Sequence, residues 1–269
     1  MPNHIAFIMD GNRRYATTLN LPRIEGHANG YAKLTQALTW CAELGIRCVT
    51  VYAFSIDNFK RTEEEVADLL AMAEKKFAEL LEEKTFIDQH CVHIRAVGDL
   101  DRLPHSLRAV MCAVEDYSAQ YAGQLTLNVC FSYTSTDEMA SAAARVADGV
   151  ALGELDVDTL DTRTFASALG IENDVDIIVR TSGEIRLSNF LLWQGAHAHL
   201  AFLPVLWPDL SFWDLVHVLL QYQADPRHQG EQSGGLVEGE GVDSFRARVE
   251  GERREYVATH AASMSPASS

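Results

Sequence analysis

The sequence predicts an α/β protein in which a mostly parallel central sheet is flanked by helices. Three observations carry this expectation. Short β-rich runs alternate with amphipathic helical stretches along most of the chain, the pattern of strands joined by crossover helices. The first run, "HIAFIMD", is apolar at nearly every position, as a strand buried on both faces is. Several runs then stop on polar clusters, where open parallel sheets hold their ligands.

Each element follows from local pattern. "HIAFIMD" is the first strand. "GYAKLTQALTWCAELGI" carries helical spacing at Tyr31, Leu34, Leu38, Cys41 and Leu44 and ends at Gly45. "RCVTVYAFS" is a second strand. Thr62 and Glu65 have the spacing of a capping box and open a long amphipathic helix running to Phe86. "CVHIRAVGDL" and "LTLNVCFSY" are further strands, and Ser135 with Glu138 forms a second capping box after the latter. "DVDIIVR" is a short buried strand, and beyond "FLPVLWPDLS" lies a last amphipathic helix, "FWDLVHVLLQYQ". Residues 1–223 are expected to form one domain. From Ala224 the composition shifts to Gly, Gln and Glu, so residues 224–269 are expected to be a flexible or partly helical tail, its "DSFRARVEGERREYV" a charged helix outside the core.

Bulk composition narrows the function. With 22 Lys and Arg against 38 Asp and Glu, the formal net charge is -16, which argues against a broad basic face for nucleic acid. Five scattered cysteines without a CxxC read as free thiols in a reducing compartment. The pairs His90/His93 and His197/His199 lack nearby zinc partners. Neither a signal peptide nor a membrane span is apparent, so the expected location is cytosolic or peripheral to a membrane.

Three strand ends carry the chemistry: residues 10–14 (Asp-Gly-Asn-Arg-Arg), "FSIDNFKR" at residues 54–61, and "VRTSGEIRLSN" at residues 179–189. Six arginines, Arg13, Arg14, Arg23, Arg61, Arg180 and Arg186, lie at or near them in an otherwise acidic chain. Arginine binds phosphate oxygens bidentately, and glycine lets backbone approach a ligand, so one or two diphosphates would account for the clustering. Asp10 has two readings, a structural ion-pair partner or a magnesium ligand working with substrate phosphate oxygens. No GxxxxGK[ST] or GxGxxG is present, and "DVDTLD" lacks the glycine of a calcium loop.

"HIAFIMDGNRRYA", "RIEGHANGY", "VTVYAFSIDNFKR" and "DIIVRTSGEIRLSNFLLWQ" followed by "FLPVLWPDLSFWD" resemble the cis-prenyltransferases, the undecaprenyl and dehydrodolichyl diphosphate synthases. The match runs in order over nearly all of residues 3–223. "GNRRYA" and "FSIDNFKR" look most like the eukaryotic dehydrodolichyl diphosphate synthase catalytic subunit, and the DDxxD of trans-prenyltransferases is absent. The resemblance implies condensation of isopentenyl diphosphate onto an allylic diphosphate, farnesyl or longer, to make long polyprenyl diphosphates for dolichol and protein glycosylation.

It implies roles for residues as well. Asp10 would be the Mg2+-linked carboxylate. Gly11, Asn12, Arg13, Arg14, Arg23 and His27 would cradle the allylic diphosphate, and Arg180, Arg186 and Ser188 would grip isopentenyl diphosphate. Ser55 and Asn58 would assist proton removal, Tyr15 and Phe59 would flank the substrates, and Arg61 would close the second cluster. Leu69, Leu70, Met72, Phe77, Leu80 and Leu81 would wall an apolar tunnel. Plainer roles stand beside these: His27 satisfying backbone groups, Asn58 capping a turn, the apolar side chains and Trp193 and Trp207 filling the core.

Two departures bear on assembly. Where single-chain bacterial enzymes carry a second glutamate, this chain has His199, a poor magnesium ligand. The C-terminal RxG segment of self-sufficient enzymes is also missing, since "RHQG" and "RVEG" each have one residue too many. A heteromer with a Nogo-B receptor-type partner supplying RxG is therefore expected, peripheral on the cytosolic face of the endoplasmic reticulum. The alternatives are a self-sufficient homodimeric synthase and a non-catalytic stabilising subunit.

Overall fold

The computed structural model describes residues 1–228 and 240–264. Six strands form one all-parallel sheet: β1 (His4–Ile8), β2 (Cys48–Ser55), β3 (Val92–Val97), β4 (Leu125–Tyr133), β5 (Ile177–Arg180) and β6 (His199–Phe202). Their order is β3-β4-β2-β1-β5-β6. The chain winds outward from β1 in one direction and then returns to place β5 on its other side. The strand order thus reverses beside β1, leaving a crevice between the carboxyl ends of β1 and β5, where Ile8 pairs with Arg180.

All residues of β1 are buried. Ile5 and Phe7 join a large cluster containing Leu38 and Trp207, while Ala6 and Ile8 pack with Cys130, Ile178 and Phe190 on the opposite face. Successive strand side chains point to opposite faces, so an unbroken apolar run is what two covered faces require. The covering helices are α1 (Asn12–Thr18), α2 (Arg23–Glu43), α3 (Glu63–Glu83), α4 (Thr85–His90), α5 (His105–Ser118), α6 (Ser135–Ala151), α7 (Thr162–Ala166), α8 (Phe212–Ala224) and α9 (Glu240–Ala262). Among the described residues no helix is long and apolar enough to cross a membrane.

Several local expectations are corrected. α2 starts at Arg23 rather than Gly30. Gly26 and Gly30 do not break it. They let α1 approach, since a Cβ on Gly26 would stand 2.3 Å from the Asn12 carbonyl oxygen. α3 ends at Glu83 because Lys84 turns left-handed (φ 52°), so Phe86 belongs to α4. Its start is as expected in part: Thr62 accepts from the Glu65 amide, but the Glu65 carboxylate turns to two arginines instead of completing the box. At α6 the cap is Thr134, one residue earlier than expected. Ser135 accepts instead from the Leu192 amide at 2.9 Å, and Glu138 is buried, accepting from Tyr133, Gln194 and the Ile171 amide. β6 has no counterpart in the sequence reading; it is four residues long, with an exposed Leu200.

The tail differs most. The Gly- and Glu-rich stretch over residues 229–239 lies outside the described residues, as do residues 265–269. α9, however, packs on the body. Phe245 is fully buried against Gly149 of α6, and Arg253 reaches Glu115 of α5 at 2.7 Å and the Ala96 carbonyl of β3 at 3.0 Å. The charges of this helix hid an apolar contact line too sparse to register as amphipathic: Phe245 and Val257 are its buried residues.

Candidate active site

The polypeptide turns sharply at the tip of β1. The Asp10 carbonyl accepts from Thr181 Oγ1 (2.6 Å) and the Trp207 amide (3.0 Å), tying β1 to the segments after β5 and β6. Gly11 adopts φ 114°, and a Cβ there would meet Leu206 at 3.0 Å, so glycine is required for the chain to swing into α1. Asn12 then donates from Nδ2 to the Met9 carbonyl at 3.2 Å, while its buried Oδ1 has no hydrogen-bond partner.

The turn presents the Asp10 carboxylate to Arg180. Arg180 Nη2 donates to Asp10 Oδ2 at 2.9 Å, and Arg14 Nη2 stands 3.6 Å from Oδ1. Burial alone would raise the Asp10 pKa, but the hydrogen bond and charge of Arg180, with the charge of Arg14, hold it below the ordinary carboxylate value. Arg180 is only 4% exposed, and its Nη1 donates to Ser188 Oγ (2.6 Å) and the Arg186 carbonyl (2.7 Å). Arg14 donates to the Ser182 carbonyl at 3.1 Å, and Arg186 pairs with Glu184.

The second cluster stands on the tip of β2, where the ladder to β4 shifts register between Tyr52 and Ser55. Ser55 caps a 3-10 turn over Ile56–Lys60, its Oγ accepting from the Asp57 amide and its amide donating to Asn58 Oδ1 at 3.0 Å. The turn-capping reading of Asn58 therefore holds in this structure, and both side chains still line the central cavity. One oxygen of Glu65 bridges Arg61 Nη1 (2.8 Å) and Arg13 Nη1 (3.3 Å) across the mouth. Beside them His27 has its pKa lowered to about 4, first by burial and then by the charges of Arg61 and Arg13, so its ring is neutral at physiological pH.

These clusters share one cavity of about 1120 Å³. Its mouth is polar, with Asp10, Gly11, Asn12, Arg13, Arg14, His27, Ser55, Asn58, Arg61, Arg180, Arg186 and Ser188 all on the wall. Its interior is apolar: Leu69, Met72, Phe77 and Leu80 of α3 face Leu127, Val129 and Phe131 of β4. Leu70 and Phe59 instead face a shallower depression outside α3, while Leu81 packs against the core cluster. Tyr15 is not among the lining residues, and the side chain of Arg23 lies outside those described. Trp207 is both core and cavity wall, its Nε1 donating to the Gly30 carbonyl at 2.8 Å, whereas Trp193 packs on Phe165. His199 opens β6 at the end away from the cluster, 4.0 Å from Asp225.

The β4 contribution was not anticipated, although Leu127, Val129 and Phe131 follow the period of two that puts strand residues on one face. In the sequence Glu65 carries only the signal of a helix start, and Glu184 and Tyr52 carry no separate signal of a site. Among the described residues no group of three or more His, Cys, Asp and Glu side chains is placed to hold a metal.

A parallel sheet with an arginine-lined crevice at its switch point, continuous with an apolar-lined cavity, has the chemistry to suit molecules anionic at one end and hydrocarbon at the other. The model of the undecaprenyl diphosphate synthase family matches residues 8–230, and the chain belongs to that family, the cis-prenyltransferases. It is 48% identical over 225 residues to the human dehydrodolichyl diphosphate synthase complex subunit DHDDS, covering 83% of this chain and 67% of the human protein. It is 37% identical over 231 residues to a tritrans,polycis-undecaprenyl-diphosphate synthase (geranylgeranyl-diphosphate specific) of Thermoplasma volcanium, covering 85% of this chain and 89% of that one. The fold superposes with a TM-score of 0.78 on lavandulyl diphosphate synthase from Lavandula x intermedia, solved with dimethylallyl diphosphate, at 32% identity over 86% of this chain and 98% of that one. Against a probable undecaprenyl diphosphate synthase from Campylobacter jejuni the TM-score is 0.71 at 28% identity, covering 86% of this chain and 99% of that one.

Proposed function

We propose that this chain is the catalytic subunit of a heteromeric synthase that makes long-chain dehydrodolichyl diphosphate for dolichol synthesis, peripheral on the cytosolic face of the endoplasmic reticulum. The observation that carries the reading is the continuity of the cavity. One chamber joins an arginine-rich mouth to an apolar interior, as a diphosphate with a growing hydrocarbon tail needs. The human relative is a subunit of a dehydrodolichyl diphosphate synthase complex, which supports the heteromer.

Magnesium fits the residues present when it arrives with substrate. Asp10 is kept ionised at the mouth, with Arg180 on its Oδ2 at 2.9 Å and Arg14 standing 3.6 Å from its Oδ1. A single carboxylate completed by phosphate oxygens and water is a normal magnesium environment. Bound there, the ion would neutralise charge on the departing diphosphate.

The protein's own groups account for the rest. Asn12, Arg13 and Arg14, with Arg23, hold the allylic diphosphate, and neutral His27 offers a hydrogen bond without adding charge. Arg180, Arg186 and Ser188 hold isopentenyl diphosphate beside it. The allylic C–O bond breaks with its electron pair leaving on the diphosphate. The double bond of isopentenyl diphosphate closes the new C–C bond, and loss of a proton toward Ser55 and Asn58 leaves a cis double bond. Holding both polyanions in one crevice removes most of the entropic and repulsive cost of their encounter. The new chain lies in the apolar interior.

The test is reconstitution. The chain, magnesium, farnesyl diphosphate and labelled isopentenyl diphosphate are incubated with and without a partner subunit carrying a C-terminal RxG, and the products are sized. Long polyprenyl products only with the partner are expected. Equal turnover by the chain alone would replace the heteromer with a self-sufficient synthase, and no product in either case would overturn the reading.

A further inference from the structure

Tyr52 stands outside the roles assigned so far. It sits where β2 slips register against β4, and it lines the cavity. The ring lies flat on buried Phe190, centroids 4.5 Å apart and planes 11° from parallel. Its hydroxyl shares one proton between the carbonyls of Tyr133 (3.2 Å) and Ser188 (3.3 Å).

The connection after β5 explains why this contact matters. Ser182, Ser188, Asn189 and Leu191 all have positive φ, at 81°, 52°, 58° and 46°. Left-handed backbone is costly for residues with a Cβ and persists only where surrounding groups hold it. Arg180 holds the Arg186 carbonyl and the Ser188 hydroxyl; the Ser135 amide holds the Asn189 carbonyl at 2.8 Å; Tyr52 holds the Ser188 carbonyl. Ser188 is thus fixed by Arg180 through its side chain and by Tyr52 through its backbone. Three residues beyond Tyr52, the same strand delivers Ser55.

We propose that Tyr52 is a positioning residue for isopentenyl diphosphate: its hydroxyl fixes the strained backbone at Ser188 and so sets that half of the site in register with Ser55 and Asn58. Burial pushes its pKa up to about 12, so it stays a hydrogen-bond donor throughout the working range. The inference rests on the reading that Arg180, Arg186 and Ser188 receive isopentenyl diphosphate.

Tyr52→Phe keeps the ring on Phe190 and removes only the hydroxyl. Binding of isopentenyl diphosphate and of farnesyl diphosphate to the full chain with magnesium is measured by calorimetry. The variant should bind isopentenyl diphosphate about five- to tenfold more weakly and change farnesyl diphosphate affinity by less than about twofold. Phe190→Leu, which keeps the hydroxyl and removes the stack, should lower the melting temperature while leaving the ratio of the two affinities unchanged. Unaltered isopentenyl diphosphate affinity in Tyr52→Phe, or an equal loss for both ligands, would overturn the role of Tyr52 and leave the functional reading standing. A wild-type chain that binds no isopentenyl diphosphate would overturn both.

Discussion

Three acceptors converge on the guanidinium of Arg180: the Asp10 carboxylate, the Ser188 hydroxyl and the Arg186 carbonyl. A lysine has one nitrogen on a flexible stem and cannot serve all three. Arg180→Lys should therefore lower kcat/KM for isopentenyl diphosphate about 100-fold, as two charge-assisted hydrogen bonds are lost, and steady-state kinetics would check it. Asp10→Asn should cost about 2 kcal/mol in denaturant unfolding, because it leaves the buried guanidinium without its counter-charge; the penalty is below that of a fully buried pair since Asp10 is 32% exposed.

The histidines set a pH prediction at the same scale. His4 and His27 each have a pKa of about 4 in the fold against an ordinary 6.5, both chiefly through burial. Between those values the unfolded chain binds protons that the folded chain refuses. The histidine contribution to stability is therefore full above pH 6.5, falls as pH drops toward 4 and levels off below it. Thermal melts from pH 7.5 to 4.5 should show the decline, and His27→Gln should remove about half of its slope.

At the scale of elements, α9 makes a sharp test. Phe245→Ala empties a fully buried ring site against Gly149 and should destabilise α9 docking by about 3 kcal/mol, read as faster amide exchange along the helix and a lower melting temperature. This helix also marks the limit of what was legible. Strands β1 and β5 were readable because burial on both faces leaves a continuous apolar run, and β2 to β4 because their runs are rich in β-branched and aromatic residues. The three polar strand ends were readable because chemistry concentrated there against a composition of the opposite charge. That α9 is a charged helix was legible, but its docking was not, since two buried residues in a strongly charged helix leave too weak a period. The true cap at Thr134 lost to Ser135 because only tertiary structure recruits Glu138 into a buried network with Tyr133 and Gln194. Positive φ at Ser188 and Leu191 left no trace in residue type, as neither is the glycine or asparagine that such backbone favours.

The whole molecule sets a local field against a global one. A chain of net charge -16 repels polyanions on the whole, and the arginines of the mouth oppose that field locally. Salt screens exposed charges within about 10 Å at 0.1 M, so the mouth arginines, Arg13 and Arg14 being about half exposed, should lose grip as ionic strength rises. Inorganic diphosphate with magnesium should bind at least about tenfold more weakly at 0.5 M than at 0.05 M salt, measured by calorimetry. Binding independent of salt would point to a contact made only by buried groups such as Arg180.

The central claim is that the tip of β1 delivers a catalytic carboxylate into a diphosphate cradle that opens on a hydrocarbon chamber. Its most direct test is turnover of labelled isopentenyl diphosphate onto farnesyl diphosphate by the partner-bound wild-type chain and by Asp10→Ala, with binding of both diphosphates measured alongside. Long cis-polyprenyl products from the wild type, reduced at least about 100-fold in a folded Asp10→Ala variant that still binds isopentenyl diphosphate, are the predicted result. Undiminished turnover in Asp10→Ala would contradict it, leaving Asp10 as an ion-pair partner of Arg180 and placing the catalytic carboxylate elsewhere.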